Sequence, residues 1–172
     1  FQAEGIDLVV NTSFDLGNIG ELSLSLNAHK YLTNEFLTTP LSSVVDCNGI
    51  YGTSCDPVPE FRSTLRGQWV RGDYDASLLW RHIGAMDAQA NEADALFSAF
   101  RTVDANNYFD LTFGYTWNDT VRFSLLIANI ADEDPPILGN ETGSTSFNSG
   151  NTFPSLFDTM GRVYSASVKL SF

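Results

Sequence analysis

The sequence predicts an all-β fold, a seven-stranded antiparallel up-and-down meander. In seven segments apolar and polar residues alternate with a period of two, as they do when successive side chains point to opposite faces of a strand. The connections between these segments alternate between short turns and long loops. Short turns join neighbouring strands in antiparallel pairs, so the chain is expected to run up and down through one sheet.

Each of the seven segments has one apolar side and one side rich in Ser, Thr, Asn and Arg. The segments cover residues 6–15, 21–29, 61–69, 74–81, 109–117, 121–128 and 163–172. Short turns are predicted at residues 17–19, 72–73 and 118–120, where Gly, Asn and Asp favour tight reversals. Long connections are predicted at about residues 31–60, 85–107 and 131–158.

Turn length and facing pattern give the same register in two hairpins. A two-residue loop at residues 72–73 pairs Arg71 with Tyr74 and brings Trp69 opposite Ala76. A three-residue loop at residues 118–120 pairs Trp117 with Val121. In both hairpins apolar residues then face apolar residues, whereas a slip of one residue would reverse every side chain.

Strand length and connection pattern favour a transmembrane β-barrel over a soluble β-sandwich, which is the alternative. The longest alternating runs have about eleven residues, near the 9–11 that cross a bilayer. Short turns at one end and long loops at the other are typical of outer-membrane barrels, as are aromatic girdles. The aromatic residues beside the short turns are Phe14, Trp69, Tyr74, Tyr115, Trp117, Phe123 and Phe172.

Composition excludes several classes of protein. With 43% hydrophobic and 13% aromatic residues, the chain is not of the disordered type. Its longest unbroken apolar run is four residues, 125–128, too short for a membrane helix. The net charge of −12 argues against a nucleic-acid partner, and the three long connections carry this entire net charge.

Three stretches together resemble the C-terminal end of TonB-dependent outer-membrane receptors. They are Asn129-Ile130-Ala131-Asp132-Glu133-Asp134-Pro135-Pro136, the segment from Cys47 to Arg62, and the segment from Phe157 to Phe172. The resemblance implies a plugged barrel of about 22 strands, of which these seven would be the last. Residues 1–172 would form one partial domain, open in this fragment. The chain begins without Met and stops in a strand, and we expect a fragment of a longer protein that ends at Phe172.

The resemblance implies energy-coupled import of a nutrient across the outer membrane of a Gram-negative bacterium. The substrate would be a siderophore, a cobalamin-like cofactor or an oligosaccharide, and the acidic loops tilt the choice from anionic siderophores toward neutral glycans. For the acidic charge itself we favour the alternative, a solvated loop surface with divalent ions bridging it to lipopolysaccharide. Expected partners are outer-membrane lipid, the missing plug and barrel strands, and TonB through that plug. The alternative function is an adhesin or phage-receptor surface.

Polar side chains on one face are candidates for contact with the plug or a polar substrate. They are Asn27, His29, Arg62, Arg66, Arg81, Asp110, Arg122 and Lys169. No subset has catalytic or metal-ligand spacing, and the two histidines, His29 and His82, fall on opposite faces. We therefore expect no enzyme, no bound metal and no cofactor.

One enzymatic reading is a remote alternative, an outer-membrane phospholipase. In the predicted register Ser63 faces His82, and both point to the apolar side. Such a pair suits nucleophilic catalysis only when a third group orients the histidine. The sequence offers no evident third group.

The remaining expectations concern a disulfide, two rim cations and the last strand. Cys47 and Cys55 share one loop in a compartment where disulfides persist, so we expect them to be bonded, two free buried thiols being the alternative. Lys30 and Arg162 have apolar-face parity near the long loops, and we expect them at the outer rim, within reach of lipopolysaccharide phosphates. The resemblance implies that the last strand is an outer-membrane assembly signal, carried by Tyr164, Ala166, Val168, Leu170 and Phe172.

Overall fold

The computed structural model describes residues 1–37, 39, 41–90, 96–138 and 151–171. The long strands are β1 (Gln2–Asp15), β2 (Glu21–Phe36), β5 (Phe61–Arg71), β6 (Tyr74–Ile83), β9 (Asn106–Trp117), β10 (Val121–Ala128) and β11 (Val163–Leu170). The short strands, all in the long connections, are β3 (Val45–Asp46), β4 (Ile50–Tyr51), β7 (Met86–Ala88) and β8 (Thr102–Val103). Single 3-10 turns occupy Gly17–Ile19 and Ser98–Phe100.

The seven long strands form one antiparallel sheet in the order β1-β2-β5-β6-β9-β10-β11, which confirms the predicted meander. Every long strand pairs with its neighbours along the chain, and β3 adds two residues beside the end of β2. Within the described residues the sheet is not closed, because β1 and β11 each have only one long partner.

Both predicted hairpin registers are confirmed. Between β5 and β6, Arg71 pairs with Tyr74 and Trp69 with Ala76. Between β9 and β10, Trp117 pairs with Val121. Positive φ angles at Gly72 (53°) in the first turn and at Asn118 (52°) in the second explain the residue types found there, since glycine and asparagine enter this region most readily.

The first hairpin is longer than the sequence predicted. The loop expected from residue 31 is strand as far as Phe36. A β-bulge explains the error: Glu4 pairs with Thr33 and Gly5 with Tyr31, so Leu32 has no partner on β1. The extra residue reverses the alternation beyond it, which removes the period-two signal although the ladder continues.

The long connections contain a second sheet that the sequence did not predict. Strands β4, β7 and β8 form it, and β4 runs parallel to β7 through Ile50–Asp87 and Tyr51–Ala88. The expectation that every pairing is antiparallel is therefore wrong for the loops. The β5–β6 hairpin lies between β4 and β7 in the chain. Because a hairpin returns the chain to the end of the sheet from which it started, both segments lie at that end, and there they run in the same direction.

The buried core lies in these connections and not on the apolar face of the main sheet. We call the long connections, together with this core, the cap. Its buried apolar residues are Tyr51, Ile83, Met86, Ala88, Leu96, Val103, Tyr108, Leu138, Phe153 and Phe157. Ile83 and Tyr108 come from the ends of β6 and β9, on the polar face of the sheet. The cap thus packs against the polar face.

Candidate functional site

The polar face of the sheet brings the predicted contact residues together. Cross-strand pairing places Asn27 beside Thr64 and Thr64 beside Arg81, while His29 lies beside Arg62. Arg66 and Asp110 both pair with Leu79, and Arg122 pairs with Lys169. All eight predicted residues therefore share this face. Whether they contact a plug or a substrate stays a prediction.

A cavity of about 520 Å³ opens on the polar face next to the cap. Its lining includes Asp7, Asn27, His29, Arg62, Arg81 and Leu156. Leu156 belongs to the last long connection, so the cap forms one wall of the cavity and the strands form its floor. A wall with this mixture of donors and acceptors suits a polar ligand or a polar protein surface.

Arg81 joins the sheet to the cap through two carboxylates. Its Nε lies 3.1 Å from Oδ2 of Asp110 on β9, and its NH1 lies 3.0 Å from Oδ1 of Asp158 in the last connection. The guanidinium carbon sits 4.9 Å from the ring centre of Tyr108, whose hydroxyl accepts the Asp158 backbone N–H at 3.2 Å. Asp110 also accepts the Asn129 backbone N–H at 2.9 Å. Partial burial makes such charge-assisted bonds strong.

Other charges on the polar face are partly paired. Asp7 and His29 meet at 2.5 Å (Oδ1 to Nδ1), and Arg122 lies 2.6 Å from Asp75 (NH2 to Oδ1). Arg66 donates to the Ser77 hydroxyl at 3.3 Å. Arg62, exposed at the cavity wall, has no ion pair with any residue that the structure describes. It is a cation available to a ligand or a partner surface.

Tyr51 holds the interior of the cap together. It is fully buried, its hydroxyl donates to the Phe100 carbonyl at 2.6 Å, and its ring packs edge-on against Phe153 with centroids 5.7 Å apart. Burial, reinforced by the nearby charge of Asp87, raises the pKa of Tyr51 to about 12. The predicted disulfide between Cys47 and Cys55 is present in the same connection, with an S–S distance of 2.04 Å.

The two predicted rim cations pair with acids of the long connections. Lys30 Nζ lies 3.1 Å from Glu60 Oε1. The Arg162 backbone N–H donates to Asp132 at 2.7 Å, and the two side chains are 3.9 Å apart. The acidic connections are thus partly neutralised by the strands beneath them, and lipopolysaccharide contact stays a prediction.

Aromatic rings gather at the short-turn end of the apolar face, as the sequence indicated. Tyr74 stacks on Tyr115 with centroids 4.8 Å apart, and Tyr115 lies 6.5 Å from Phe123. Trp69 donates its indole N–H to the Ile19 carbonyl at 2.8 Å. On the last strand, Tyr164, Ala166, Val168 and Leu170 share this apolar face, and Phe172 lies outside the described residues.

Sequence reasoning missed the cap residues that complete the site. Tyr108 belongs to β9 and Asn129 directly follows β10, whereas Asp158 and Leu156 reach the polar face only through the folding of the last connection, where no local pattern marks them. The sequence offered one signal: Tyr108 directly precedes Phe109 in an alternating segment, so its side chain is expected on the opposite, polar face.

Comparisons with known proteins add nothing to this picture: no family model matches the chain, and no curated protein matches it. The described residues contain no helix that is both long enough and apolar enough to cross a membrane. Nor do those residues bring together three or more His, Cys, Asp or Glu side chains suited to a metal ion.

Proposed function

We propose that this chain forms the last strands of a transmembrane β-barrel in the outer membrane of a Gram-negative bacterium, in a TonB-energised receptor that imports a nutrient. One observation carries the proposal. The cap packs on the polar face at the long-loop end of the sheet, where Ile83 and Tyr108 are buried, whereas apolar-face residues are exposed: Leu8 is 50% and Val168 is 60% solvent-accessible. A soluble sheet protein buries its apolar face, whereas a barrel wall turns that face to lipid.

The exposed apolar face is continuous across the sheet. One cross-strand row crosses all seven long strands, through Phe14, Leu22, Trp69, Ala76, Phe113, Leu125 and Ala166. Soluble monomers rarely expose an apolar patch that spans a whole sheet. The stacked aromatic residues at the short-turn end then lie at one membrane interface, and Lys30 and Arg162 lie at the other.

The polar face supports the binding role. In a closed barrel it would line the lumen, and Arg62, Arg66 and Lys169 would face the plug or a polar substrate passing it. The cap would lie at the outer mouth, and its acidic surface disfavours anionic ligands. We therefore propose a neutral oligosaccharide ahead of an anionic siderophore or a cobalamin-like cofactor as the substrate.

Uptake by the intact receptor tests the transport proposal. Cells that lack the gene, and cells that carry it but lack functional TonB, are supplied with labelled oligosaccharides, ferric siderophores and cobalamin. The proposal expects both strains to lose uptake of the same compound and complementation to restore it. Uptake unaffected by TonB contradicts it, and phage adsorption or cell adhesion lost without any uptake defect would instead identify a surface receptor or adhesin.

We propose that β11 is the assembly signal and that Phe172, which continues its apolar parity in the sequence, is the aromatic residue of that signal. Deletion of Phe172 in the full-length protein is expected to lower the amount of folded barrel that reaches the outer membrane. Substitution of Lys169 by Gln, on the polar face of the same strand, is the control and leaves the yield unchanged. An unchanged yield after deletion of Phe172 would contradict the assembly-signal proposal and would leave the barrel proposal unaffected.

A further inference from the structure

Three polar residues lie side by side on the apolar face, on three neighbouring strands. Ser63 of β5 pairs with His82 of β6, and His82 pairs with Asn107 of β9. His82 Nδ1 is 3.0 Å from Asn107 Oδ1, and the same oxygen accepts the Trp80 indole N–H at 2.9 Å. Asn107 is the orienting third group that the sequence did not reveal.

The Trp80 contact fixes the protonation pattern of His82. An indole N–H can only donate, so the Asn107 atom that it meets is the amide oxygen. That oxygen can only accept, and His82 Nδ1 must therefore carry a proton. In the neutral imidazole the lone pair then lies on Nε2, which has no hydrogen-bond partner among the described residues.

Ser63 supplies an unused hydroxyl beside this histidine. The residue is 6% exposed, and its Oγ is buried with no hydrogen-bond partner in the part of the chain that the structure describes. A buried polar group without a partner is rare and calls for an explanation. Side chains directly opposite one another on paired strands have Cβ atoms about 5 Å apart, and contacts between nucleophile and base often close only when substrate binds.

The surroundings of the row suit a lipid ester. Ser63 is the third residue of β5, His82 the last but one of β6 and Asn107 the second of β9, so all three lie at the long-loop end of the sheet. If the apolar face meets lipid, as the proposed function requires, this end lies where acyl chains join their head groups. The rings of Phe61 and Trp80 flank His82 with centroids 5.7 and 5.8 Å away and offer apolar surface to an acyl chain.

We propose that Ser63, His82 and Asn107 form a serine-hydrolase triad that cleaves carboxylic esters of membrane lipids. Ser63 Oγ attacks the ester carbonyl carbon while His82 Nε2 takes the hydroxyl proton. The carbon–oxygen bond to the alcohol then breaks, and His82 returns the proton to the leaving oxygen. Water, activated by His82 Nε2 in the same way, cleaves the acyl-serine, releases the fatty acid and restores Ser63. Asn107 is a positioning residue that holds His82 through Nδ1.

Active-site labelling of the full-length protein tests the triad. The protein is purified in detergent, shown to be folded by its heat-modifiable mobility, and treated with a fluorophosphonate and with the p-nitrophenyl ester of octanoic acid. Labelling at Ser63 and ester hydrolysis are expected. Ser63→Ala is expected to remove both, and His82→Ala to lower hydrolysis at least a hundredfold. Ser124→Ala, on the polar face, is the control and leaves both unchanged.

The positioning role of Asn107 is tested by the pH–rate profile, which a purely structural role would leave unchanged. Asn107→Ala is expected to lower the rate at least tenfold, and Asn107→Asp to restore it and to move the acidic limb of the pH–rate profile upward, because a carboxylate stabilises the protonated imidazole. A folded protein that is neither labelled at Ser63 nor active on the ester overturns the triad. Since TonB-dependent uptake is measured separately, failure of the triad leaves the import proposal standing, and failure of import leaves the labelling result valid.

Discussion

The sheet and the cap place their apolar residues in opposite environments. In the cap, Tyr51 and Phe153 are at most 1% exposed, whereas on the sheet Leu8 and Val168 are at least half exposed. One chain thus contains a unit with its apolar residues inside and a unit with its apolar residues outside. The cap follows the rule for a small soluble domain, and the sheet follows the rule for a wall between lipid and a polar interior.

The difference shows that the two units are stabilised separately. The cap depends on hydrophobic burial, a disulfide and the hydrogen bond of Tyr51. The sheet depends on its ladders and, under the membrane proposal, on the lipid that would cover its apolar face. Arg81 with its two carboxylates joins the units, as do Ile83 and Tyr108, which the strands contribute to the cap core. Changes inside one unit should therefore leave the other largely intact.

The largest expected effect is Phe153→Ala in the centre of the cap. Loss of a buried phenyl group costs about 3–5 kcal/mol, enough to open a small unit locally. Hydrogen exchange should accelerate at the cap amides while the ladders of the sheet stay protected. Phe97→Ala, at a side chain that is 73% exposed, is the matched control and should change little. Equal loss of protection in the sheet would show that the units are not separate.

A charge on the apolar face distinguishes a lipid-facing wall from a surface in water. Leu78 lies in the middle of β6, and Leu78→Arg should cost about 2–4 kcal/mol of folding free energy in a bilayer. Leu126→Arg, on the polar face of β10 between Thr112 and Ser165, is the control and should cost much less. Reversible unfolding of the full-length protein in phospholipid vesicles measures both. A neutral Leu78→Arg would contradict the membrane proposal.

Removal of the disulfide tests how far the first long connection relies on it. The double substitution of Cys47 and Cys55 by Ser should destabilise the cap by about 2–3 kcal/mol in the chain-entropy model. Proteolysis of the full-length protein under non-reducing conditions should then cut this connection faster. A reducing agent should reproduce the effect in the wild type and add nothing to the variant, whereas an unaltered cleavage rate would show that the other cap contacts suffice.

Tyr51 makes the stability of the cap depend on alkaline pH. Its pKa rises from about 10 in the unfolded chain to about 12 in the folded one, so the unfolded state loses its proton first. The stability that protonated Tyr51 contributes to the cap is complete below pH 10 and is lost as the pH rises from 10 to 12. Hydrogen exchange corrected for intrinsic rates should show the cap weakening in this window, and Tyr51→Phe should reduce that dependence. A wild-type cap with no such dependence would contradict the assignment.

The sequence was sufficient for the main sheet because the side-chain period and two tight turns constrain the register independently. Arg71–Tyr74 and Trp117–Val121 follow from loop length alone. It was not sufficient for β2 beyond residue 30, because the bulge at Leu32 breaks the period while the ladder continues. A bulge shifts the alternation of side chains by one residue, so the sequence pattern is interrupted although the strand goes on.

The cap and the triad lay beyond sequence reasoning for a different reason. Tyr51 contacts Phe153 across about a hundred residues of chain, and Asn107 meets His82 only through the β6–β9 register. The strands of the cap have only two or three residues and are too short to show a period. The polar face was predictable as a set by parity. The cavity beside it depends on Leu156, and the second ion pair of Arg81 depends on Asp158, both from a connection whose described residues have no regular structure. The absence of enzymatic activity stays a prediction of the sequence, which the triad proposal opposes and the labelling experiment decides.

The smallest expected effect belongs to Lys30, whose position sharpens the contrast with Leu78. Lys30 has apolar-face parity, yet it lies at the long-loop end of the sheet, 3.1 Å from Glu60, and both side chains are about half exposed. An exposed ion pair contributes about 0.2–1 kcal/mol, so Lys30→Met should destabilise the folded protein only slightly in phospholipid vesicles, and Glu60→Gln should do the same. A lysine held at mid-bilayer would instead cost about 2–4 kcal/mol, and its replacement by Met would then stabilise the protein by a similar amount. A large gain on Lys30→Met would place β2 deeper in the membrane than the rim and would contradict the depth assigned to Ser63 and His82.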